Sequence, residues 1–254
     1  MTTTTRPAPR EPAQAAREKA RARRFGVRAV LAAAGAFVAI VPLTLLVVLI
    51  LSSSPGLRRV DLRIEERVHT FVVARPALEE ALGIGSVVLH PRVMWALAAI
   101  TAVVLWTRGR RRHALWVLVT VAVGGTLDTP IKELVARARP VFADPVATAP
   151  GYAFPSGHAL NTMLIGAGAV ALGWRATRGH PRRRAALLVA AAALVLVTGF
   201  DRVGLGVHYV SDVVGGWLIA LAVVCVTTAA FSLNVRPVER DRGEPASPVE
   251  RTSP

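Results

Sequence analysis

The chain has 254 residues, 53% of them hydrophobic, and 31 Lys and Arg against 16 Asp and Glu give a formal net charge of +15. With a mean hydropathy of +0.46 and its charges gathered between long apolar runs, it does not read as a soluble domain; the composition predicts an all-α, polytopic membrane bundle. The single cysteine, Cys225, falls inside the last apolar run, which leaves no disulfide framework and no cysteine metal site.

Residues 1–24 are rich in Thr, Pro, Ala and Arg, could bury no core, and are predicted to be a disordered cytoplasmic tail. The bundle domain is predicted over 25–233. Its first apolar run, Val27 to Leu51, is far longer than the apolar core of a signal peptide and reads as an uncleaved signal anchor. The next connection, about Ser52 to Pro91, contains "RRVDLRIEERVHTFVV". There Val60, Ile64, Val68 and Phe71 recur at helical spacing while Arg63, Glu66 and Arg67 fall elsewhere on the wheel. An amphipathic helix at the outer interface is expected, either bound to lipid or packed on the bundle.

Further apolar runs follow at about Val93 to Trp106, Ala114 to Ile131, His158 to Trp174, Ala185 to Phe200 and Val213 to Phe231, for about six spans. The second and fifth are short, with Gly83 to His90 and Asp201 to Leu205 available to extend them. Residues 234–254 form a second predicted disordered tail.

Six spans place the amino-terminal Arg and Lys residues, Arg108 to Arg112 and Arg175 to Arg184 on one face. The positive-inside rule makes that face cytoplasmic, with both termini inside and the chain in the plasma membrane. Trp106 and Trp174 border two of these basic turns, as interfacial aromatics do. The charge is thus accounted for by topology and contact with anionic lipid, and a nucleic-acid partner is not expected.

Three polar clusters remain, all at the outer ends of spans. They are "KELVARARP" leaving the third span, "PSGH" opening the fourth, and "DRVGLGVHYVSD" between the fifth and sixth. Ionisable groups this close to hydrocarbon are costly and usually functional. Lys132, Arg139 and Arg202 supply cations suited to phosphate oxygens. Ser156 adds a hydroxyl, and Gly157 allows backbone approach at a positive helix end. His208 and Asp212 are four apart, so on a helix the carboxylate can bind one ring nitrogen and leave the other free to attack phosphorus.

The pattern Lys132, Arg139-Pro140, then Pro155-Ser156-Gly157-His158, then Arg202, His208 and Asp212 resembles the three-part signature of the type 2 phosphatidic acid phosphatase superfamily. This family includes lipid phosphate phosphatases, undecaprenyl pyrophosphate phosphatases, soluble acid phosphatases and vanadium haloperoxidases. The resemblance implies a metal-independent, cofactor-free phosphatase. His208 would be the nucleophile that forms phosphohistidine, oriented by Asp212, and His158 the acid for the leaving oxygen and later the base for water. Lys132, Arg139, Arg202, Ser156 and Gly157 would hold the phosphoryl oxygens. The family usually carries Ser or Thr where this chain has Asp201; pairing with Arg202 is the favoured reading of that carboxylate, repulsion of phosphate the other.

Outside the signature, Arg137 reads as a snorkelling residue at a span end and Asp128 as an intrahelical partner of Lys132. His69, His90, His113 and His180 are assigned no function. The carboxylates near the motifs, Asp144, Asp201 and Asp212, lie scattered among cations, unlike a metal cluster. The expected activity is hydrolysis of a lipid phosphate or diphosphate at the extracytoplasmic face. A polyprenyl diphosphate is favoured over phosphatidic acid and phosphatidylglycerol phosphate. A lipid phosphotransferase, or a non-catalytic protein that binds or transports anionic lipid, are the alternatives.

Overall fold

The computed structural model describes residues 34–142 and 145–231, and every regular element among them is helical. In chain order these are α1 (Ala34–Leu51), α2 (Pro55–Val73), α3 (Pro76–Val88), α4 (Pro91–Thr107), α5 (Arg111–Val135), α6 (Gly157–Gly173), α7 (Pro181–Gly204) and α8 (Val210–Phe231). Both predicted tails, the start of the first apolar run and Asp144 lie outside the described residues.

Four helices, α1, α5, α7 and α8, are long and apolar enough to cross a bilayer, and the pair α3 and α4, bent by 46°, makes a fifth candidate. At 17 residues α6 sits at the lower limit of a span. The predicted count of about six is therefore approximate: the second span is a broken helix, and α7 does run on through Asp201 and Arg202. Phe37, Ile100, Val103, Val189 and Leu196 point outward, more than half exposed, as lipid-facing residues of a membrane protein do.

Helix α6 is central and packs against α4, α5, α7 and α8. Small residues let it do so. A Cβ on Gly216 of α8 would come within 2.7 Å of the Ser156 carbonyl oxygen, so glycine is what lets α8 close on the start of α6. Leu160, Leu164, Trp116, Ile219 and Val223 fill the core below. Thr120 donates to Thr227 at 2.9 Å and ties α5 to α8. The basic turns lie at the opposite end from the three motifs, with Arg111 over the Trp106 ring and Arg184 over the Trp174 ring.

The connection before α4 contains the expected amphipathic helix, packed on the bundle. Helix α2 buries Asp61, Glu65 and His69 together with Val72, while Val60, Ile64 and Phe71 are exposed alongside Arg63, Glu66 and Arg67. Only Val68 of the predicted apolar stripe packs against the bundle. The reason lies in what α2 meets. The motif-bearing end of the bundle presents cations and backbone polar groups, so carboxylates and an imidazole complement it better than valine does. His69 donates from Nδ1 to the Gly204 carbonyl at 3.1 Å and stacks on Phe142, which ties α2 to the end of α7.

Candidate active site

Four helix ends converge at the end of the bundle that carries the three motifs. The amide of Ser156 donates to the Asp212 carbonyl at 3.0 Å, which joins the start of α6 to that of α8. Ser156 is fully buried and caps α6, its hydroxyl oxygen 3.5 Å from the Ala159 amide. Because that oxygen accepts, its own proton is free to donate. The first amides of α6, at Gly157 and His158, lack intrahelical acceptors, as at any helix start. Gly157 lies against Asp128, whose carboxylate would sit 3.2 Å from a Cβ placed there. The same carboxylate holds Lys132 through both oxygens at 2.6 Å, the intrahelical pair expected from the spacing.

Arg202 is paired in the same way. Asp201 accepts from its Nε at 2.7 Å, and both residues are buried. The favoured reading of the Asp201 departure is the one the geometry takes.

His208 is 4% exposed. Its Nε2 lies 3.1 Å from Nη1 of Arg139. A guanidinium only donates, so that nitrogen carries the lone pair and Nδ1 the proton. Nδ1 faces Oδ2 of Asp212 at 3.7 Å, longer than a hydrogen bond but within reach of the carboxylate's field. Burial pushes the imidazole below its ordinary pKa, opposed by Asp212 and reinforced by the charges of Arg139 and Arg202. A neutral ring at neutral pH is the result.

Arg139 is more constrained than a free phosphate ligand. Its donors reach the carbonyls of Gly151 at 3.0 Å, Val207 at 2.7 Å and Pro150 at 3.1 Å as well as His208. Burial lowers its pKa, and the charges of Asp212, Arg202 and Asp128 all act on it, which places the first and third motifs in one electrostatic cluster. His158 joins the same cluster through the charges of Arg202 and His208. Its Nε2 donates to the Ser86 carbonyl at 3.2 Å, and the His90 ring meets it edge-on at 5.3 Å, at the bend between α3 and α4.

The structure corrects the reading of Arg137. It does not snorkel. Helix α5 ends with Ala136 in the left-handed region, φ +46°, and the chain turns Arg137 back into the bundle. There it bonds Asp61 at 2.7 Å, Asp212 at 2.6 Å and the Ser211 hydroxyl at 2.6 Å, over the Tyr209 ring. Sequence reasoning missed Asp61 and Ser211 altogether. Neither carries a local signal: Asp61 lies off the apolar stripe, in a segment rich in Arg and Glu.

Glu65, one turn beyond Asp61, is 3% exposed and its Oε1 has no hydrogen-bond partner among the described residues. Burial, then the carboxylates of Asp61 and Asp212, raise its pKa to about 7 against the opposing charge of Arg137. The sign follows. Between the ordinary carboxyl value of 4.5 and about 7 the folded state keeps a proton that the unfolded chain has lost, so stability falls as pH rises through that window and levels off above it. The Glu65 contribution amounts to at most about 3 kcal/mol. Thermal unfolding in detergent across this range should show the decline in the wild type and a flatter profile in Glu65→Gln; parallel profiles would remove Glu65 from the account.

Among the described residues no three His, Cys, Asp or Glu side chains gather closely enough to hold a metal ion. Comparison with known proteins agrees with the motif reading. Residues 113–236 match the model of the PAP2 superfamily, and over that segment the resemblance to the type 2 phosphatidic acid phosphatases holds. A curated relative, phosphatidylglycerophosphatase B of Bacillus subtilis, is 31% identical over 110 residues, 41% of this chain. The chain spans about half, 52%, of that relative's length. A solved transmembrane PAP2-type phosphatidylglycerolphosphate phosphatase from Bacillus subtilis has the same fold, with a TM-score of 0.64 at 23% identity, covering 78% of this chain and 98% of that one.

Proposed function

We propose that this chain, with its PAP2 superfamily region over residues 113–236, is a metal-independent lipid phosphatase working through a phosphohistidine at the outer membrane face. The observation that carries this reading is the geometry at His208, with Nε2 3.1 Å from Nη1 of Arg139 and Nδ1 3.7 Å from Asp212; since a guanidinium only donates, it implies a ring with its lone pair on Nε2 and its proton on Nδ1. That is the tautomer a nucleophilic imidazole needs.

In this reading a phosphate group enters between Arg139 and His208, and Arg139 exchanges its bond to Nε2 for a phosphoryl oxygen. Nε2 attacks phosphorus as the bond to the lipid oxygen breaks. His158 gives that oxygen a proton, and Asp212 stabilises the cationic ring. Water then attacks phosphorus, His158 takes the proton, the P–N bond breaks and phosphate leaves. Lys132, Arg202, the Ser156 hydroxyl and the Gly157 amide hold the phosphoryl oxygens through the transition state.

For the substrate, phosphatidylglycerol phosphate now takes precedence over polyprenyl diphosphate. The name of the curated relative supports that order. Phosphate release from purified protein should be measured on phosphatidylglycerol phosphate, phosphatidic acid and undecaprenyl diphosphate separately, with and without EDTA. Release that survives EDTA and is fastest on a monoester supports the reading; no release from any lipid by folded protein would end it.

The Asp201 pair supplies a second expectation. Asp201→Ser leaves Arg202 buried without its carboxylate, so the variant should melt lower than wild type in the absence of ligand. Added phosphate should recover more of that loss in the variant than it gains for the wild type, with a several-fold lower KM for the lipid. An equal response of both proteins to phosphate would mean that Arg202 does not face the substrate.

A further inference from the structure

The arrangement around Asp212 is larger than a histidine-carboxylate pair. Arg137 is shared between Asp212 and Asp61, two carboxylates with 0% exposure. Asp61 also accepts from the Ser211 amide at 3.1 Å and the Ser211 hydroxyl at 2.6 Å. It therefore serves the first turn of α8 as a capping side chain does, although it comes from α2, 150 residues away in sequence. Asp212 has its second oxygen on the Tyr209 amide at 2.9 Å, the same oxygen that faces Nδ1 of His208. Every contact of the Asp212 carboxylate is thus set either by Arg137 or by the start of α8 that Asp61 holds.

We propose that Asp61 and Arg137 are positioning residues for the His208–Asp212 pair, so that the outer helix α2 belongs to the catalytic machinery although it lies outside the segment matched to the family. This rests on the reading of His208 as nucleophile. The charges explain why two residues are involved. Arg137 alone beside Asp212 would neutralise the carboxylate that must stabilise a cationic ring. With Asp61 present the group of three is net negative, and it gains a partner when His208 becomes positive on attacking phosphorus. Removal of Arg137 would leave two buried carboxylates in repulsion and the group beside His208 one charge more negative. The other charges facing the cluster are Glu65 from the same helix and Arg139 and Arg202 from across His208, with the Tyr209 phenol beside Glu65 and Arg137.

The test uses full-length protein in detergent with three variants: Asp61→Asn, Arg137→Gln and the double variant. Asp61→Asn should lower kcat about ten- to a hundredfold with KM within about threefold, and move the acidic limb of the kcat profile to lower pH, because His208 loses a negative neighbour. Arg137→Gln should also lower kcat but move that limb to higher pH. The double variant, which leaves a plain His208–Asp212 pair, should recover part of what Arg137→Gln loses. Opposed pH shifts and recovery are outcomes that a structural role would not produce. If both single variants keep wild-type kcat and pH profile per folded molecule, or if the losses follow only the folded fraction, the proposal fails. Should Arg137→Gln not fold, Asp61→Asn decides alone, since it changes one charge and almost no volume. Wild-type activity abolished by His208→Ala alongside unaffected Asp61 variants would sink this inference and leave the nucleophile reading intact; an inactive wild type would sink the latter.

Discussion

His208→Ala is expected to abolish phosphate release, by at least about a thousandfold, because in a covalent mechanism nothing else can take the phosphoryl group. The neighbours offer no substitute. Asp212 is turned away onto Arg137 and the Tyr209 amide, and His158 is held at the α3–α4 bend by Ser86. Labelled substrate should leave an acid-labile phosphoryl label on wild-type protein and none on the variant. The loss should lie in kcat, not in folding, because only Arg139 bonds the ring and its three carbonyl contacts remain. Thermal unfolding of the variant checks that point. Activity above about a hundredth of wild type would mean direct attack by water, or a different nucleophile, and the phosphohistidine step would have to be given up.

The second large effect belongs to His158. As proton donor to an alkoxide leaving group it should be worth about a hundred- to ten-thousandfold on a lipid substrate. His158→Gln is the suitable variant, since its amide can still donate to the Ser86 carbonyl and so keep the α3–α4 bend in place. An aryl phosphate, whose leaving group departs without a proton, separates the two roles of the residue. With it the variant should form the phosphoenzyme at near wild-type rate, release one equivalent of phenol in a burst, and then stall, because water lacks a base. With the lipid there should be no burst. Equal slowing of phosphoenzyme formation on both substrates would show that His158 positions the site and does not transfer the proton.

What could be read from the sequence was what depends on neighbours along the chain. Apolar runs of span length, basic turns flanked by Trp106 and Trp174, and the three motifs at span ends are local patterns, since the bilayer and the helical period act on short windows. The Asp128–Lys132 pair was legible for the same reason: four residues apart on a helix, the two side chains meet whatever the fold does elsewhere. The family resemblance also rested on short spacings, and it holds over residues 113–236.

The tertiary structure decided where charge goes when it cannot remain in water. Arg137 looks by position like a span-end residue reaching for headgroups, yet Ala136 turns the chain and two carboxylates 75 and 76 residues away receive it. The face that α2 buries could not be taken from its periodicity, because hydropathy ranks valine above aspartate as an inward residue. A buried guanidinium reverses that order, since an unpaired interior charge costs several kcal/mol, roughly twice what a buried valine gains. The composition, spans and motifs of this protein are therefore properties of its sequence by itself. The partners of Arg137 are a property of the fold, because interior electrostatics is settled between whichever groups the packing brings within a few ångströms, however far apart they stand in the chain.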